Sequence, residues 1–295
     1  MSLLVSECVN GLVLASFYAL IAVGLVLIFG VVGIVNFAHG DFVMIGGYFL
    51  YQLLTVARLP YLLAIPVTVL AAGVLGALIF VVALRHLMGR PWYAQLVATI
   101  ALSILMENIA QAIWSPSAVS VATPFDLEAI HIGTLANVSV QQVFVFAGTV
   151  LTLAGVWALI NRTRTGKSMR AVSLNRVACE IVGIDVRRVG MVAFGIGTAL
   201  CGVAAVLVLP LQNVYPTVGL SITTQAFVIV ILGGMRSMRG AILAAVIIGM
   251  VQALSAGYIS SAYTDAFGYG VMIIVLVAHP TGLFGKRDLA VWSGL

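Results

Sequence analysis

Gly30-Val31-Val32-Gly33-Ile34-Val35-Asn36-Phe37-Ala38-His39-Gly40-Asp41 interrupts an apolar run that begins at Val9 and resumes at Phe42. A spanning helix needs about 20 mostly apolar residues, and residues 9–29 supply them. A charge at the bilayer centre costs about 2.5–3.5 kcal/mol on insertion scales, while each Leu, Ile or Val returns only about 0.3–0.6 kcal/mol. Gly40 breaks the helix, and Asp41 is suited to N-cap the next one, Phe42 to Ala57. A broken helix at membrane depth is tolerated only where it is buried in protein or lines a wet cavity. Two readings stand. Asn36, His39, Gly40 and Asp41 line a translocation pathway, or the stretch is a membrane-edge turn followed by a capped helix.

Outward from this stretch the chain predicts an all-α polytopic membrane protein of about 8–10 transmembrane helices. The candidate segments are 9–29, 41–57, 61–84, 93–114, 141–160, 191–211, 218–234, 240–257 and 264–279. The second, seventh and ninth are short, and one segment is a candidate for re-entry. Composition agrees. The chain has 295 residues, 62% hydrophobic and 8% charged, against about 45–50% and about 25% in soluble domains. These proportions exclude a soluble globular protein, a disordered chain and a nucleic-acid binder. No stretch is long enough for a separate soluble domain, so 1–295 reads as one membrane domain. No basic segment precedes Val9, so no cleavable signal peptide is expected.

Charge sets the orientation. Residues 161–190 hold Arg162, Arg164, Lys167, Arg170, Arg176, Arg187 and Arg188 against Glu180 and Asp185. With this loop inside and the spans alternating from it, every Lys and Arg except Arg58 falls inside, including Lys286 and Arg287. Glu7, Asp126, Glu128 and Asp265 fall outside. This is the positive-inside pattern, and it predicts nine crossings, with the N-terminus out and the C-terminus in. The outer loop 115–140, broken by Pro116 and Pro124, carries no Lys or Arg.

Other features carry weaker signals. Gly233-Gly234-Met235-Arg236-Ser237-Met238-Arg239-Gly240 is a second interruption, late in the chain as the first is early. Paired breaks in two halves point to an inverted repeat around a central path. Thr223, Thr224 and Gln225 precede it and either contact a passing solute or satisfy helix backbone. Gly33, Gly40 and Gly47, and likewise Gly183, Gly190 and Gly197, recur every seven residues, a packing stripe. Glu107, with Asn108, lies within an apolar segment, where a carboxylate either serves function or reaches headgroups. Leu174, Val177, Ala178 and Ile181 share one helix face, with Gly183 placed as a helix stop. This predicts a short amphipathic cytoplasmic helix that either lies on the membrane or docks with a partner.

Enzymatic chemistry finds no support. Gly166-Lys167-Ser168 looks like the end of a phosphate-binding loop, but Asn161 stands where that loop needs its first glycine, and a membrane span precedes it. Cys8, Cys179 and Cys201 are odd in number and widely spaced, so neither a disulfide framework nor a metal site is expected. No cofactor and no catalytic residue is expected.

The motifs in order resemble one family over essentially the whole chain. Gly33-Ile34-Val35-Asn36-Phe37-Ala38-His39-Gly40-Asp41 with Met44 and Gly46-Gly47-Tyr48 is similar to the signature of branched-chain amino acid ABC transporter permeases of the LivH type. Thr165-Gly166-Lys167-Ser168-Met169-Arg170-Ala171 with Asn175, Ala178 and Gly183-Ile184 resembles that family's cytoplasmic loop. Gly233-Gly234-Met235 with Ser237 and Gly240-Ala241 resembles its late glycine motif, departing at Arg236 and Arg239, where the family usually carries a small residue and a proline.

The resemblance implies a permease subunit of a bacterial inner-membrane importer for branched-chain amino acids or related small amino acids and amides. It implies a LivM-like permease partner, two ATP-binding subunits and a periplasmic solute-binding protein. Gly166, Arg170, Asn175, Ala178, Glu180 and Gly183 then fall in the ATPase-coupling loop. Asn36, His39, Gly40, Asp41, Glu107, Thr224 and Gln225 are the pathway candidates. The helix after Asp41 would aim its N-terminus at a substrate carboxylate, or Asp41 would meet an α-amino group. The alternative is an ion-coupled secondary transporter of a small polar solute, working alone, with His39, Asp41 and Glu107 as its titratable groups.

Overall fold

The computed structural model describes residues 2–114, 116–120, 125, 129–132 and 136–285. Pro124, Asp126, Glu128, Lys286 and Arg287 lie outside the described residues. All nine predicted segments are helices: α1 (Ser2–Val32), α2 (His39–Thr55), α3 (Tyr61–Val82), α4 (Trp92–Trp114), α5 (Val140–Arg162), α8 (Val186–Val208), α9 (Val218–Gly233), α10 (Met238–Tyr258) and α11 (Thr264–Ala278). Two short helices, α6 (Arg164–Leu174) and α7 (Arg176–Ile181), form the basic loop. Among the described residues, seven helical stretches are long and apolar enough to cross a membrane; α2 and α9 are shorter.

The outer loop differs from the all-helical expectation. Residues Ala129–Ile132 (β1) and Ala136–Ser139 (β2) form an antiparallel hairpin, with Ala129 opposite Ser139. Its second strand ends in a capping box. The Ser139 hydroxyl accepts from Gln142 N at 3.2 Å, while the Gln142 side chain accepts from Ser139 N at 3.0 Å. The two orphan donors that open α5 are thus satisfied reciprocally.

Loop contacts test the orientation. At one end Arg176, on α7, donates to the carbonyls of Val31 and Val32, and Arg236, after α9, donates to the carbonyl of Ser173, on α6. At the other end Gln142 Nε2 donates to Asn10 at 3.1 Å, and Val119 and Val214 exchange backbone hydrogen bonds. These are the groups that strict alternation puts inside and outside, respectively.

The bundle is two interlocked repeats of opposite direction. The most extensive packing is α1 on α10 and α3 on α8. These exchange if α1 is swapped for α8 and α3 for α10. The pairs α2–α8 and α1–α9, α2–α3 and α9–α10, and α2–α4 and α9–α11 exchange in the same way when α2 is swapped for α9 and α4 for α11. Buried α1 and α8 sit at the centre (83% and 72% of their apolar windows), while α4 and α5 (22% each) and α11 (6%) are peripheral.

Backbone contact through glycine holds the centre. A Cβ at Gly24 would lie 2.8 Å from the carbonyl of Gly197, and one at Gly197 would lie 2.9 Å from that of Gly24. Small residues let helix backbones approach where no hydrophobic force drives helices together in lipid. The predicted glycine stripes divide accordingly. Gly40, Gly47, Gly190 and Gly197 sit at close contacts, whereas Gly33 (φ +70°) and Gly183 (φ +83°) end helices.

The glycine-rich interruption at 233–240 is a turn between two helices, as expected, but it is not the counterpart of the early break. Residues 233–240 form a tight connection between α9 and α10, with Ser237 capping α10 through Gly240 N at 3.1 Å. The counterpart of the early break is residues 209–217, between α8 and α9, marked by Pro210 and Pro216. Both breaks precede a short helix. Glycine drew attention to the C-terminal end of α9, but the interruption lies at its N-terminal end.

Candidate translocation site

The chain turns back into the bundle after α1. Gly33 closes that helix, its N–H donating to Phe29 O at 2.9 Å. His39 Nε2 then lies 3.0 Å from Ile21 O. Ile21 precedes the end of α1 by eleven residues, about 16 Å along a helix axis. An extended segment of six residues reaches up to about 20 Å, so 33–38 returns to mid-depth before α2 starts. Residues 209–217 do the same from the opposite side, with Val214 against Gly47 and Gly219 against Gly40. The N-termini of α2 and α9 therefore meet deep in the bundle. Each brings the positive end of a helix dipole and first-turn N–H groups that have no partner within their own helix.

Asp41 does not cap α2. The helix begins at His39, and Ala38 occupies the capping position without a side-chain cap. Other groups take its first amides. Asn36 Oδ1 accepts from Ala38 N at 3.2 Å, and Thr223 Oγ1, on α9, accepts from Gly40 N at 2.8 Å. A Cβ on Gly40 would overlap the Gly219 carbonyl, and one on Gly219 would overlap Asp41 Oδ1.

Two buried polar atoms at this crossing are unpartnered among the described residues: Asn36 Nδ2, a donor, and Asp41 Oδ2, an acceptor. Asn36 is fully buried and Asp41 is 2% exposed. Buried polar groups are normally hydrogen-bonded, so each such exception calls for an explanation. Ser103 and Glu107, one helical turn apart on α4, face the Asp41 carboxyl. The Glu107 side chain is half-buried and accepts from Gln111 Nε2 at 3.1 Å.

The other sequence candidates sort differently. His39 is fully buried between Ile21 O and Cys201 Sγ, the latter 3.4 Å from Nε2, and it joins α2 to α1 and α8. Thr224 is exposed and donates to Leu220 O at 2.8 Å, within its own helix. Thr223, one position earlier, is the residue at the crossing. Gln225 is buried and belongs to a separate polar cluster. Its Nε2 donates to Asp265 at 2.8 Å, Gln252 Nε2 donates to the same oxygen at 3.3 Å, and Tyr18 donates to Gln252 at 2.7 Å. Gly219 and Ser103 were not singled out in the sequence. A glycine in the first turn of a short apolar helix is the one signal that marks Gly219.

The basic loop is two helices, not one. Thr163 caps α6 through Gly166 N at 3.0 Å, and a Cβ on Gly166 would overlap the carbonyls of Leu159 and Ile160. Lys167 and Ser168 thus lie in the first turns of a helix that follows a helix. Arg170 Nη1 donates to Asn161 at 3.4 Å. Asn175 ends α6 and caps α7, accepting from Ala178 N at 3.0 Å. Gly183 then closes α7 as expected. Its N–H donates to Glu180 O and that of Ile184 to Cys179 O, the paired closure that a left-handed glycine allows. Leu174, Val177, Ile181 and Val182 are exposed, as are Ala178 and Glu180.

A polytopic bundle of inverted repeats, its two broken halves meeting at buried and unsatisfied polar groups, is the architecture of a membrane permease. Residues 8–276 match the family described as branched-chain amino acid transport system permease component, and the chain belongs to that family. It is 30% identical to the high-affinity branched-chain amino acid transport system permease protein BraD of Pseudomonas aeruginosa, over 96% of each chain. It is also 30% identical to LivH of Salmonella typhimurium, over 95% of each chain. LivM of Escherichia coli is 26% identical, over 92% of this chain and 68% of LivM. No solved structure matches the chain. The protein is thus a multi-pass membrane transport subunit and not an enzyme.

Proposed function

We propose that this chain is a permease subunit of an ATP-driven importer in the bacterial inner membrane, and that its solute is a branched-chain amino acid. The observation that carries the reading is the pair of unpartnered atoms at the α2–α9 crossing. Asn36 Nδ2 and the two helix N-termini suit a carboxylate, and Asp41 Oδ2 suits an ammonium. An α-amino acid zwitterion offers both groups at once; urea and simple amides offer neither charge. The apolar side chain remains for the hydrophobic surroundings. In the present conformation the Gly40–Gly219 contact leaves no space between the two helices, so binding requires them to part.

The drive comes from partner chains. The α6–α7 loop presents exposed Leu174, Val177, Ile181 and Val182 beside exposed basic side chains, which suits docking in a groove of an ATPase subunit. Gly166, Arg170, Asn175, Ala178, Glu180 and Gly183 shape or flank that surface. The likeness to both LivH and LivM supports a second, LivM-like permease subunit. A binding protein delivers the solute on the outer side, and rocking of the two repeats switches access.

Expression with the genomic neighbours, purification and an ATPase assay in nanodiscs test this. Co-purifying ATPase subunits whose hydrolysis rises with a leucine-loaded binding protein are expected. A chain that purifies alone, and carries solute in liposomes without ATP, would overturn the proposal in favour of an ion-coupled transporter.

A further inference from the structure

The α6–α7 loop touches the bundle unevenly. Helix α6 is seated by buried Gly166, Met169 and Val172, whereas α7 buries only Cys179. Between them, Asn175 fixes the kink from both sides. Its N–H donates to Ala171 O at 3.1 Å and its side chain accepts from Ala178 N.

Two arginines bracket this kink and reach different repeats. Arg176 Nη2 donates to Val32 O at 2.6 Å and to Val31 O at 3.2 Å. These carbonyls belong to the last turn of α1, where helix acceptors lack intrahelical partners and the dipole favours a cation. The guanidinium also lies 3.6 Å from where a Gly33 Cβ would be, at the start of the segment leading to Asn36 and Asp41. Arg236 extends from the α9–α10 turn and donates to Ser173 O, three residues before Arg176. Helix α9 carries that connection from its C-terminal end back to Thr223, about 15 Å away at the helical rise, and on to Gly219, about 21 Å away. One rigid kink is thereby tied to α1 of the first repeat and α9 of the second, the elements that position the two half-helices at the crossing.

We propose that Arg176 and Arg236 are the transmission contacts of this permease. Movement of the α6–α7 kink passes through Arg176 to the α1 terminus and through Arg236 to α9, and draws the α2 and α9 N-termini apart. The proposal rests on the reading of this loop as the ATPase docking element. Both residues act as positioning groups, so their loss separates ATP hydrolysis from transport and leaves the complex assembled.

The test uses the full complex in proteoliposomes with a leucine-loaded binding protein, reading leucine imported per ATP hydrolysed. Arg176→Ala and Arg236→Ala are each expected to lower that ratio at least about fivefold, the lower bound of typical coupling between sites, at unchanged complex yield. An unchanged ratio in both overturns the proposal. Should an alanine variant fail to assemble, Arg176→Gln and Arg236→Gln, which keep a donor but shorten its reach, are read by the same criterion. A photo-crosslinker at Val177 separates the two layers. A crosslink to the ATPase subunit with an unchanged ratio rejects the arginine contacts alone, whereas no crosslink rejects the docking reading.

Discussion

The hydroxyl of Thr223 accepts the backbone N–H of Gly40 at 2.8 Å and donates to the carbonyl of Gly219 at 2.9 Å. A single side chain on α9 thus ties the first turn of each short helix to the other. The adjacent Thr224 has the same chemistry but faces outward. Thr223→Val keeps the shape and strands the buried Gly40 N–H, at a cost of about 1–3 kcal/mol. Thr224→Val should stay within about 0.5 kcal/mol. Thermal unfolding of the detergent-solubilised complex measures both, and equal shifts would remove the special role of Thr223.

Glycine substitutions should have opposite signs at Gly40 and Gly30. A Cβ at residue 40 overlaps the Gly219 carbonyl, and neither backbone can yield without parting the repeats. Gly40→Ala should destabilise by at least about 1–3 kcal/mol. Gly30 lies within α1 with open space around it, so Gly30→Ala should be neutral or stabilise by up to about 1 kcal/mol. The same unfolding assay reads both.

Removing the charge of Asp41 tests the solute site. Asp41→Asn keeps the size of the side chain and replaces the acceptor Oδ2 with an amide. Hydrogen bonds to charged groups are worth about 1.5–3 kcal/mol, so leucine uptake should fall at least about tenfold while complex yield is retained. Normal uptake by this variant would remove Asp41 from the pathway. Glu107→Gln should act more weakly, because its carboxyl already accepts from Gln111.

The kink at Asn175 should respond to its cap. Asn175→Ala removes the acceptor for Ala178 N, costing about 1 kcal/mol at the start of α7, and should lower leucine imported per ATP. Asn175→Asp keeps the acceptor and should retain coupling. A loss in both variants would point to the side-chain amide rather than the cap.

The nine segments and their order were legible because each run of about 20 apolar residues has one stable form in lipid, where backbone groups must be satisfied within the helix. Loop charge likewise carried the grouping of loops at the two ends. The first break was legible because Asn36, His39 and Asp41 stand out in apolar surroundings. Its counterpart at 209–217 was not. Pro210, Gln212, Asn213 and Pro216 make it read as an ordinary loop with no charged residue to stand out, and the conspicuous Gly233–Gly240 turn drew attention to the wrong end of α9. Thr223 and Thr224 could not be separated by type, since only the rotation of α9 decides which one meets Gly40. Asp41 looked like a cap, but the helix starts two residues earlier because Asn36 and Thr223 take the first amides from outside it. The amphipathic spacing of Leu174, Val177 and Ile181 survives as an exposed surface although Asn175 divides the helix in two.

The most direct measurement is uptake of labelled leucine by proteoliposomes containing the permease pair and its ATPase subunits, with binding protein on one side and ATP on the other. Accumulation that requires both the binding protein and ATP, and that Asp41→Asn lowers at least about tenfold without loss of the complex, is the predicted result. Uptake that proceeds without ATP and follows an imposed proton or sodium gradient would contradict the ATP-driven importer.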